Sequence, residues 1–317
     1  MFDPFGWSSP AIVGDTIYVG SNNEYFYAVD PTDGSQKWQY ETDDRVNSYP
    51  AVDDGAVVFT SEDRFLHSVD VASGDRIWRT EIQDVDTGSP TIHDGTIYIG
   101  ALDGTFYAVD AADGSVEWKF QAEWNIPHPP AVVDDIVFMA SDTLYALDAA
   151  SGEEVWRFDI DAYGVTTYHM TAGPTATQDT VFIGTDFSKM HAFDVQTGEQ
   201  RWVFETDMAV RSPPAVAGGV VYFGCDDDHV YAVAADTGEE VWRYNIGNDV
   251  NSALAVSAET VYVGTTDGYV CALDRATGEE LWRLFPDIGY QMNAPLVVAN
   301  DTVYIAAGHL IAISEAE

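Results

Sequence analysis

Hydrophobic and polar positions along this chain alternate in short runs that are typical of β-strands. Within residues 87–122, for example, β-branched and aromatic runs occupy 89–92, 96–100, 106–110 and 116–120, and Gly, Asp or Pro separates them. Helical periodicity of useful length is absent from the sequence. The pattern predicts four antiparallel strands in each such unit.

A unit of fixed spacing recurs along almost the whole length. A residue that ends the third run, usually Asp, is followed four positions later by Gly, and Trp follows four positions after that. The copies end at Trp38, Trp78, Trp118, Trp156, Trp202, Trp242 and Trp282. Asp can accept hydrogen bonds from a turn, and Gly tolerates the positive φ that closes it. We interpret the seven tryptophans as packing anchors between neighbouring units and not as ligand contacts.

Counting these units predicts an all-β fold, an eight-bladed β-propeller of four-stranded antiparallel blades. The eighth blade is predicted to be incomplete, because the sequence reaches Glu317 before a further Trp run. Either Met1–Phe5 adds a short edge to this blade or the closing strand lies upstream, and we favour the second. We expect a single domain, 1–317, with blades at roughly 7–42, 47–82, 87–122, 127–160, 171–206, 211–246, 251–285 and 293–314.

The repeated unit, as in residues 146–156, resembles the tryptophan-docking motif of the PQQ-like, quinoprotein-type β-propeller family. That family includes the quinoprotein alcohol dehydrogenases and a non-enzymatic outer-membrane-assembly lipoprotein of bacteria. The resemblance covers about Trp7 to Ile313 and implies the propeller fold, but its motif is structural and does not fix an activity. It also suggests an extracytoplasmic or cell-surface location, with a cytoplasmic one as the alternative.

Charge narrows the classes of partner. The chain carries 53 acidic and 13 basic residues, a formal net charge of −40, and the acids are spread over every repeat. Such an acidic surface resembles that of halophilic proteins, in which salt screens the self-repulsion. It disfavours nucleic acid and anionic membranes as partners, and no apolar run is long enough for membrane insertion. Cys225 and Cys271 lie at unmatched positions and are expected to be buried free thiols.

Candidate binding residues lie in the loops that precede the first strand of each blade, which we expect to surround the mouth of a central channel. Aligned positions there form one predicted ring: Trp7, Asn47, Thr87, Pro127, Thr171, Arg211, Asn251 and Asn293. The next positions form a second: Ser8, Ser48, Gly88, His128, Ala172, Ser212, Ser252 and Ala294. A concave surface of this composition could hold water or a small polar ligand.

Arg211 allows two interpretations. Its planar guanidinium could clamp a carboxylate or phosphate of a ligand. Alternatively it forms a structural ion pair with Asp207, Asp249 or another loop carboxylate, and we favour this second interpretation.

The longest departure from the repeat falls between Trp156 and Trp202. It adds residues near Asp159–Met170, where an aromatic-rich loop could carry a binding specificity or simply pack on the top of the propeller. The candidates in and beside this loop are Tyr163, Tyr168, His169, Trp124, His128 and Tyr290.

Catalytic and metal-binding patterns are weak. Asp226, Asp227 and Asp228 form the densest acidic group, yet no calcium-loop spacing accompanies them, so a solvated surface is the favoured interpretation. The resembled dehydrogenases generally hold PQQ with a vicinal disulfide, a Trp platform and Ca²⁺, and this chain has no adjacent cysteines. PQQ with Ca²⁺ is therefore expected only under an alternative hypothesis, and we predict no catalytic residue.

The sequence favours a non-catalytic binding or scaffold propeller that presents its top face and channel mouth to a protein or small polar ligand. One alternative is a PQQ-dependent oxidoreductase or the propeller part of one. Another is a surface assembly protein that accepts a strand at its open last blade. We expect a monomer, or weak self-association through that blade.

Overall fold

The computed structural model describes residues 8–84, 88–159, 172–286, 295–299, 302–307 and 309–314. All regular elements in these ranges are β-strands, which form seven four-stranded sheets and one three-stranded sheet. Each sheet is antiparallel with its strands in chain order, because hairpins connect consecutive strands. The predicted all-β fold with four strands per repeat is confirmed, and among the described residues the last sheet has three strands, as predicted.

The strands follow the repeats closely. Sheet 1 contains β1 (Ala11–Val13), β2 (Thr16–Gly20), β3 (Tyr25–Val29) and β4 (Gln36–Glu41). Sheet 2 contains β5 (Ala51–Asp53), β6 (Ala56–Ser61), β7 (Phe65–Asp70) and β8 (Arg76–Glu81). Sheet 3 contains β9 (Thr91–His93), β10 (Thr96–Gly100), β11 (Thr105–Asp110) and β12 (Val116–Gln121). Sheet 4 contains β13 (Ala131–Val133), β14 (Ile136–Ala140), β15 (Thr143–Asp148) and β16 (Glu154–Asp159).

The remaining sheets repeat this order. Sheet 5 contains β17 (Thr175–Ala176), β18 (Thr180–Thr185), β19 (Lys189–Asp194) and β20 (Gln200–Glu205). Sheet 6 contains β21 (Ala215–Ala217), β22 (Val220–Gly224), β23 (His229–Ala234) and β24 (Glu240–Asn245). Sheet 7 contains β25 (Ala255–Val256), β26 (Thr260–Gly264), β27 (Val270–Asp274) and β28 (Glu280–Leu284). Sheet 8 contains β29 (Val297–Ala299), β30 (Thr302–Ala307) and β31 (His309–Ser314).

Contacts within the chain define two compact units, Met1–Pro129 with Ala299–Glu317, and Pro130–Val298. In the first unit, neighbouring sheets bury apolar faces against each other, as where the Phe26 and Phe59 rings stack with centroids 4.0 Å apart. Tyr304 of the last sheet packs in the same way on Ile17 and Val29 of sheet 1.

The second unit contains sheets 4 to 7 and is built on the same principle. Phe182 and Trp202 of sheet 5 join Phe223 and Tyr231 of sheet 6 in one buried cluster. In these four sheets the second and third strands are almost wholly buried, and the fourth strand is largely exposed apart from its Trp side. This burial explains why the inner runs are continuous in β-branched and aromatic residues.

The recurring turn has the hydrogen bonds that its residue types favour. In sheet 2, Oδ1 of Asp70 accepts backbone N–H groups of Ala72 and Ser73 at 3.0 and 2.8 Å. Gly74 then adopts a φ of 74°, and its N–H donates to the Asp70 carbonyl at 2.9 Å. Because the side chain of Asp is a hydrogen-bond acceptor two or three residues from the turn amides, this residue type recurs at the end of the third strand.

Five of the described indoles link their own sheet to the following one. The ring Nε1–H donates to a backbone carbonyl just past the next sheet's third strand, at 2.8 to 3.0 Å, in Trp38, Trp78, Trp156, Trp202 and Trp242. The same ring covers the turn glycine of that next sheet: a Cβ on Gly74 would lie 2.7 Å from Trp38 Cδ2. Removing a buried aromatic side chain of this size typically costs roughly 3–5 kcal/mol.

Candidate functional site

Glycine at the end of the second strand positions the loops that connect successive sheets, hereafter the inter-sheet loops. A Cβ on Gly184, near the end of β18, would lie 2.6 Å from both the Cγ1 atom and the carbonyl oxygen of Val210. The N–H of Val210 donates to the Thr185 carbonyl at 3.0 Å. The loop can therefore cross the strand end only because that position lacks a side chain. The same crossing recurs at Gly20 with Val46, Gly100 with Ile126 and Gly224 with Val250.

Arg211 lies in the inter-sheet loop between β20 and β21 and bridges two carboxylates. Its Nε donates to Oδ1 of Asp186 at 3.1 Å, and its Nη1 lies 2.8 Å from Oδ2 of Asp226. Asp186 follows β18 and Asp226 follows β22, so Arg211 ties the turns after the second strands of sheets 5 and 6. Asp249 adds a third nearby negative charge. The structural partners are thus carboxylates other than Asp207.

The electrostatics of this cluster are acidic. Burial raises the pKa of Asp226 above its ordinary 3.8, and the positive charge of Arg211 offsets this effect only in part. Burial lowers the pKa of Arg211, but the charges of Asp226 and Asp186 outweigh it and raise that pKa overall. Three carboxylates surround one guanidinium, so the group retains net negative charge.

Two buried side-chain oxygens in this unit accept no hydrogen bond from the described residues. They are Oδ1 of Asp226, in the cluster, and Oδ1 of Asn251, in the next inter-sheet loop. A buried acceptor left without a donor costs roughly 1–3 kcal/mol. These oxygens could accept a hydrogen bond or bind a cation. The guanidinium of Arg211, which could have bound an anionic ligand, is already paired with Asp186 and Asp226.

Asn47 repeats part of this geometry in the first unit. Its Nδ2 donates to Oε1 of Glu62 at 2.6 Å, while its own Oδ1 is buried without a donor. Glu62 follows Asn47 by 15 residues, the same separation as Asp226 from Arg211. Asn47 and Arg211, which both belong to the first predicted ring, therefore each contact the turn after the second strand of their own sheet.

The second predicted ring is largely structural. Ser48 and Ser212 are fully buried, and their hydroxyls donate to the carbonyls of Thr60 and Ser252 at 2.9 Å. These hydroxyls are satisfied by the backbone and do not line a binding surface, which corrects the expectation that the serines contribute to a polar concavity. His128, in the same ring, is half-buried.

Exposed apolar side chains mark the inter-sheet loops instead. Trp124 and Met208 occupy the same repeat position, three residues before Pro127 and Arg211, and are 47% and 52% exposed. The backbone under Met208 is fixed, because Oγ1 of Thr206 donates to its carbonyl at 2.7 Å. Sequence reasoning selected Trp124 but missed Met208, although the shared repeat position would have indicated it.

The three consecutive aspartates after β22 do not converge on a metal. Asp226 pairs with Arg211, and Oδ2 of Asp227 accepts the hydroxyl of Tyr231 at 2.7 Å. Asp228 adopts a φ of 66° within the turn. Within the described ranges, no three His, Cys, Asp or Glu side chains are grouped so that they could hold a metal ion.

Several predicted residues lie outside the described residues, namely Trp7, Thr87, Tyr163, Tyr168, His169, Thr171, Tyr290, Asn293 and Ala294. Cys225 and Cys271 are described, buried and free, which confirms the expected thiols. Burial raises the pKa of each to about 12, so neither is a reactive thiolate near neutral pH.

A shallow cleft of about 470 Å³ lies between sheets 2 and 3 in the first unit. Lys119 lines this cleft, and its Nζ atom lies 4.7 Å from the ring centroid of Tyr107. Its wall is formed by Glu81, Gln83, Asp103, Thr105, Tyr107, Lys119, Phe120 and Gln121. None of the sequence-predicted site residues contributes to it.

Membrane-spanning helices are also absent from the described part of the chain. This finding agrees with the all-β element order.

The family is shown by comparison with known sequences. A family model described as outer membrane protein assembly factor BamB matches residues 2–84, 63–143 and 140–317. The chain belongs to this family. The resemblance to PQQ-like propellers inferred from the Trp repeats is thereby confirmed. No curated protein matches the chain by sequence.

Solved structures confirm the eight-bladed β-propeller fold of this BamB-family chain. BamB from Moraxella catarrhalis matches with a TM-score of 0.82 at 19% identity, covering 98% of this chain and 97% of that one. The computationally designed Ika8 protein gives 0.85 at 17% identity, covering 99% and 97%. A europium-containing methanol dehydrogenase gives 0.79 at 16% identity, covering 96% and 83%. At these identities the similarity establishes the fold and not an activity.

Proposed function

We propose that this BamB-family propeller is a non-catalytic scaffold that binds a protein partner on its inter-sheet loops. The observation that carries the proposal is the loop between β20 and β21, in which Met208 is 52% exposed and the side chain of Arg211, three residues later, is 40% exposed. Met, Arg and aromatic residues are enriched at protein interfaces. Trp124 supplies an aromatic side chain at the repeat position of Met208 in the first unit.

The loop is held in place before any partner arrives. Val210 donates to the Thr185 carbonyl, and the N–H of Asp226 donates to the Ala209 carbonyl, each at 3.0 Å. The guanidinium of Arg211 is fixed by two carboxylates. A surface that is already ordered loses little conformational entropy on binding, which favours affinity.

Charge identifies the kind of partner. Arg211 is neutralised by Asp186 and Asp226, and Asp249 and the −40 net charge leave the surroundings negative. A basic face on the partner would meet complementary potential, whereas an acidic one would be repelled. The proposal therefore specifies a partner that presents Lys or Arg to this loop. A small cationic ligand is the alternative occupant.

The experiment uses purified chain immobilised at its C-terminus and extracts of the source cells in molar salt. Proteins retained by the wild type are identified, and retention is repeated with Met208→Glu. The matched control is Val241→Glu, because Val241 is 50% exposed on the outer strand β24, away from the inter-sheet loops. We expect Met208→Glu to lose the partner and Val241→Glu to keep it at equal thermal stability. Equal retention by both variants contradicts the proposal.

The family description supports an extracytoplasmic location for the chain, since it names outer membrane protein assembly. Fractionation of source cells tests this directly. Recovery of the protein with cytoplasmic markers contradicts it.

A PQQ-dependent oxidoreductase is the second candidate, and the fold similarity to a methanol dehydrogenase is the observation that favours it. The described residues fit this cofactor poorly, because Cys225 and Cys271 are buried in separate sheets and no three-ligand metal group is present there. Dye reduction with added PQQ and Ca²⁺ across simple alcohols decides between the two. Activity that depends on PQQ supports the oxidoreductase, and its absence leaves the scaffold.

A further inference from the structure

The cleft between sheets 2 and 3 lies where one repeat position holds a small residue. Thr105 is the first residue of β11, and larger side chains occupy its repeat position in five other sheets: Tyr25, Phe65, Lys189, His229 and Tyr269. In sheet 2 the ring of Phe65 lies under Arg79, whose Cζ atom is 4.3 Å from the ring centroid. Thr143 of sheet 4 is as small as Thr105 but is buried. At Thr105 no ring occupies the position, and the cleft remains open.

Lys119 is a cation without a carboxylate partner. Basic residues at its repeat position in other sheets all form ion pairs: Arg79 with Asp43, Arg157 with Glu154, Arg243 with Glu240, and Arg283 with Glu280. Three of those partners lie three residues earlier in the chain, where Lys119 has Val116 instead. Lys119 lies over the ring of Tyr107 and forms no ion pair with any described carboxylate. The cleft therefore presents an ammonium group that no described side chain neutralises.

Two carboxylates line the same cleft. Glu81 is the last residue of β8, and Asp103 lies in the hairpin between β10 and β11. The side chain of Glu81 makes no hydrogen bond or ion pair with the described residues. Asp103 uses only Oδ1, which accepts the N–H of Thr105 at 2.8 Å. The lining thus has one more negative charge than positive charges, and all of them can still bind a ligand.

The polar wall of the cleft is ordered without a ligand. Nε2 of Gln121 donates to the carbonyls of Asp103 and Ala122, each at 3.1 Å. The hydroxyl of Thr105 donates to Oε1 of Gln121 at 3.2 Å. Tyr107, which lines the cleft beside these residues, is almost fully buried. A site that is already ordered loses little conformational entropy on binding.

We propose that this cleft binds a basic α-amino acid, with its carboxylate on the ammonium of Lys119 and its two cationic groups on Glu81 and Asp103. Such a ligand carries one negative and two positive charges, which complement the charges of the lining. The volume of about 470 Å³ lies within the range of small-molecule sites. A neutral sugar would leave Lys119 without a counter-ion, and a simple anion would meet two carboxylates.

This site does not depend on the protein partner proposed above. It belongs to the first unit, whereas Met208 and Arg211 belong to the second. The net charge of −40 also raises the local concentration of cationic ligands around the chain.

The test compares three ligands by saturation-transfer NMR with the full chain. L-arginine has all three charges, L-citrulline replaces the guanidinium by a neutral group of the same shape, and L-argininamide replaces the carboxylate by an amide. We expect saturable binding of L-arginine, and L-citrulline should bind roughly threefold to fivefold more weakly because one partly exposed ion pair is lost. The NaCl concentration is the lowest that retains the wild-type thermal melt, since salt screens these charges.

Variants of two lining residues locate the ligand. Lys119→Met should weaken L-arginine by roughly threefold to fivefold but should not weaken L-argininamide, which has no carboxylate. The matched control is Arg243→Met, at the same repeat position of sheet 6, and it should leave both affinities unchanged. Thr105→Phe introduces the residue type of sheet 2 and should weaken L-arginine by roughly tenfold or more, because the ring fills the cleft. Thr105→Val has nearly the size of the wild-type residue and should retain binding. Thermal melts verify that each variant is folded.

Any of four results would overturn the proposal. The first is a folded wild type that shows no saturable binding of L-arginine. Equal affinities for L-arginine and L-citrulline would show that the basic side chain is not recognised. An equal loss of L-arginine and L-argininamide in Lys119→Met would show that Lys119 does not bind the carboxylate. Unchanged binding of L-arginine to folded Thr105→Phe would place the ligand elsewhere. None of these results alters the retention expected of Met208→Glu, so the two proposals fail separately.

Discussion

Two turn glycines with almost the same backbone conformation should differ sharply in their tolerance of a methyl group. Gly74 and Gly34 have φ values of 74° and 72°, and both close the turn after a third strand. A Cβ on Gly74 would lie 2.7 Å from Cδ2 and Cε3 of Trp38, whereas a Cβ on Gly34 would meet no atom of the described residues within 4 Å. The pair therefore separates the cost of the backbone conformation from the cost of the indole contact.

The expected magnitudes follow from these two terms. Placing Ala at positive φ costs about 1 kcal/mol, and this term applies equally to Gly74→Ala and Gly34→Ala. Overpacking of a tight contact adds roughly 1–3 kcal/mol, and only Gly74→Ala incurs it because Trp38 is held by its own hydrogen bond. We therefore expect Gly74→Ala to lose 1–3 kcal/mol more than Gly34→Ala, by about the overpacking term.

Equilibrium urea unfolding in molar salt measures both losses, with fluorescence and far-UV circular dichroism compared to verify two-state behaviour. Gly114→Ala serves as a replicate, since its Cβ would lie 2.6 Å from Cε3 of Trp78. If Gly34→Ala and Gly74→Ala lose the same free energy of unfolding, the Trp contact does not explain the glycine, and the reasoning fails.

Three further outcomes test other parts of the structure. Arg211→Met should destabilise the fold by about 2 kcal/mol at neutral pH, less than for a fully buried pair because Arg211 is partly exposed, and Asp226→Asn in the same chain should restore most of the loss. Burial already raises the pKa of Asp226 above 3.8, and removal of Arg211 should raise it further. The stability of Arg211→Met should therefore recover as pH falls through that raised pKa, because the folded chain then binds the proton more tightly than the unfolded chain. A loss of stability that does not depend on pH in urea titrations would contradict this. Burial lowers the pKa of His191 from 6.5 to about 4, so between these pH values the unfolded chain binds a proton that the folded chain does not. The stability of the fold should therefore fall as pH drops from 6.5 to about 4. His191→Phe should abolish this dependence in thermal melts, and an unchanged pH profile in the variant would refute the explanation. Finally, the net charge of −40 predicts a melting temperature that rises with NaCl, and a salt-independent melting temperature would contradict the halophilic interpretation.

The regular part of this fold is readable from the chain because its repeats are local. The interval from Asp70 to Trp78 contains the turn acceptor, the positive-φ glycine and the anchor in one short segment, and the structure places a turn and a strand there. Continuous runs of β-branched and aromatic residues mark the inner strands because these strands are buried on both faces. The three described strands of the eighth sheet follow from the same count.

The candidate site was only partly predictable. Repeat alignment selects Arg211, and its partner Asp226 follows at a fixed offset of 15 residues, the same offset that joins Asn47 to Glu62. Asp186 belongs to the preceding sheet, and no local pattern relates it to Arg211. The serines of the second ring were expected at a surface, but the loop crossing buries them.

The sequence by itself determined the number and order of the sheets, since turn chemistry and apolar alternation act between residues close along the chain. Only the tertiary structure decided which side chains meet across sheets. It pairs Arg211 with two carboxylates, and it covers five turn glycines with an indole but leaves Gly34 without a contact from the described residues. Those contacts depend on how one sheet packs against the next, and packing is a property of surfaces brought together by the whole fold. Contacts between residues close along the chain can be inferred from the repeated sequence, whereas contacts between two sheets depend on how those sheets pack against each other.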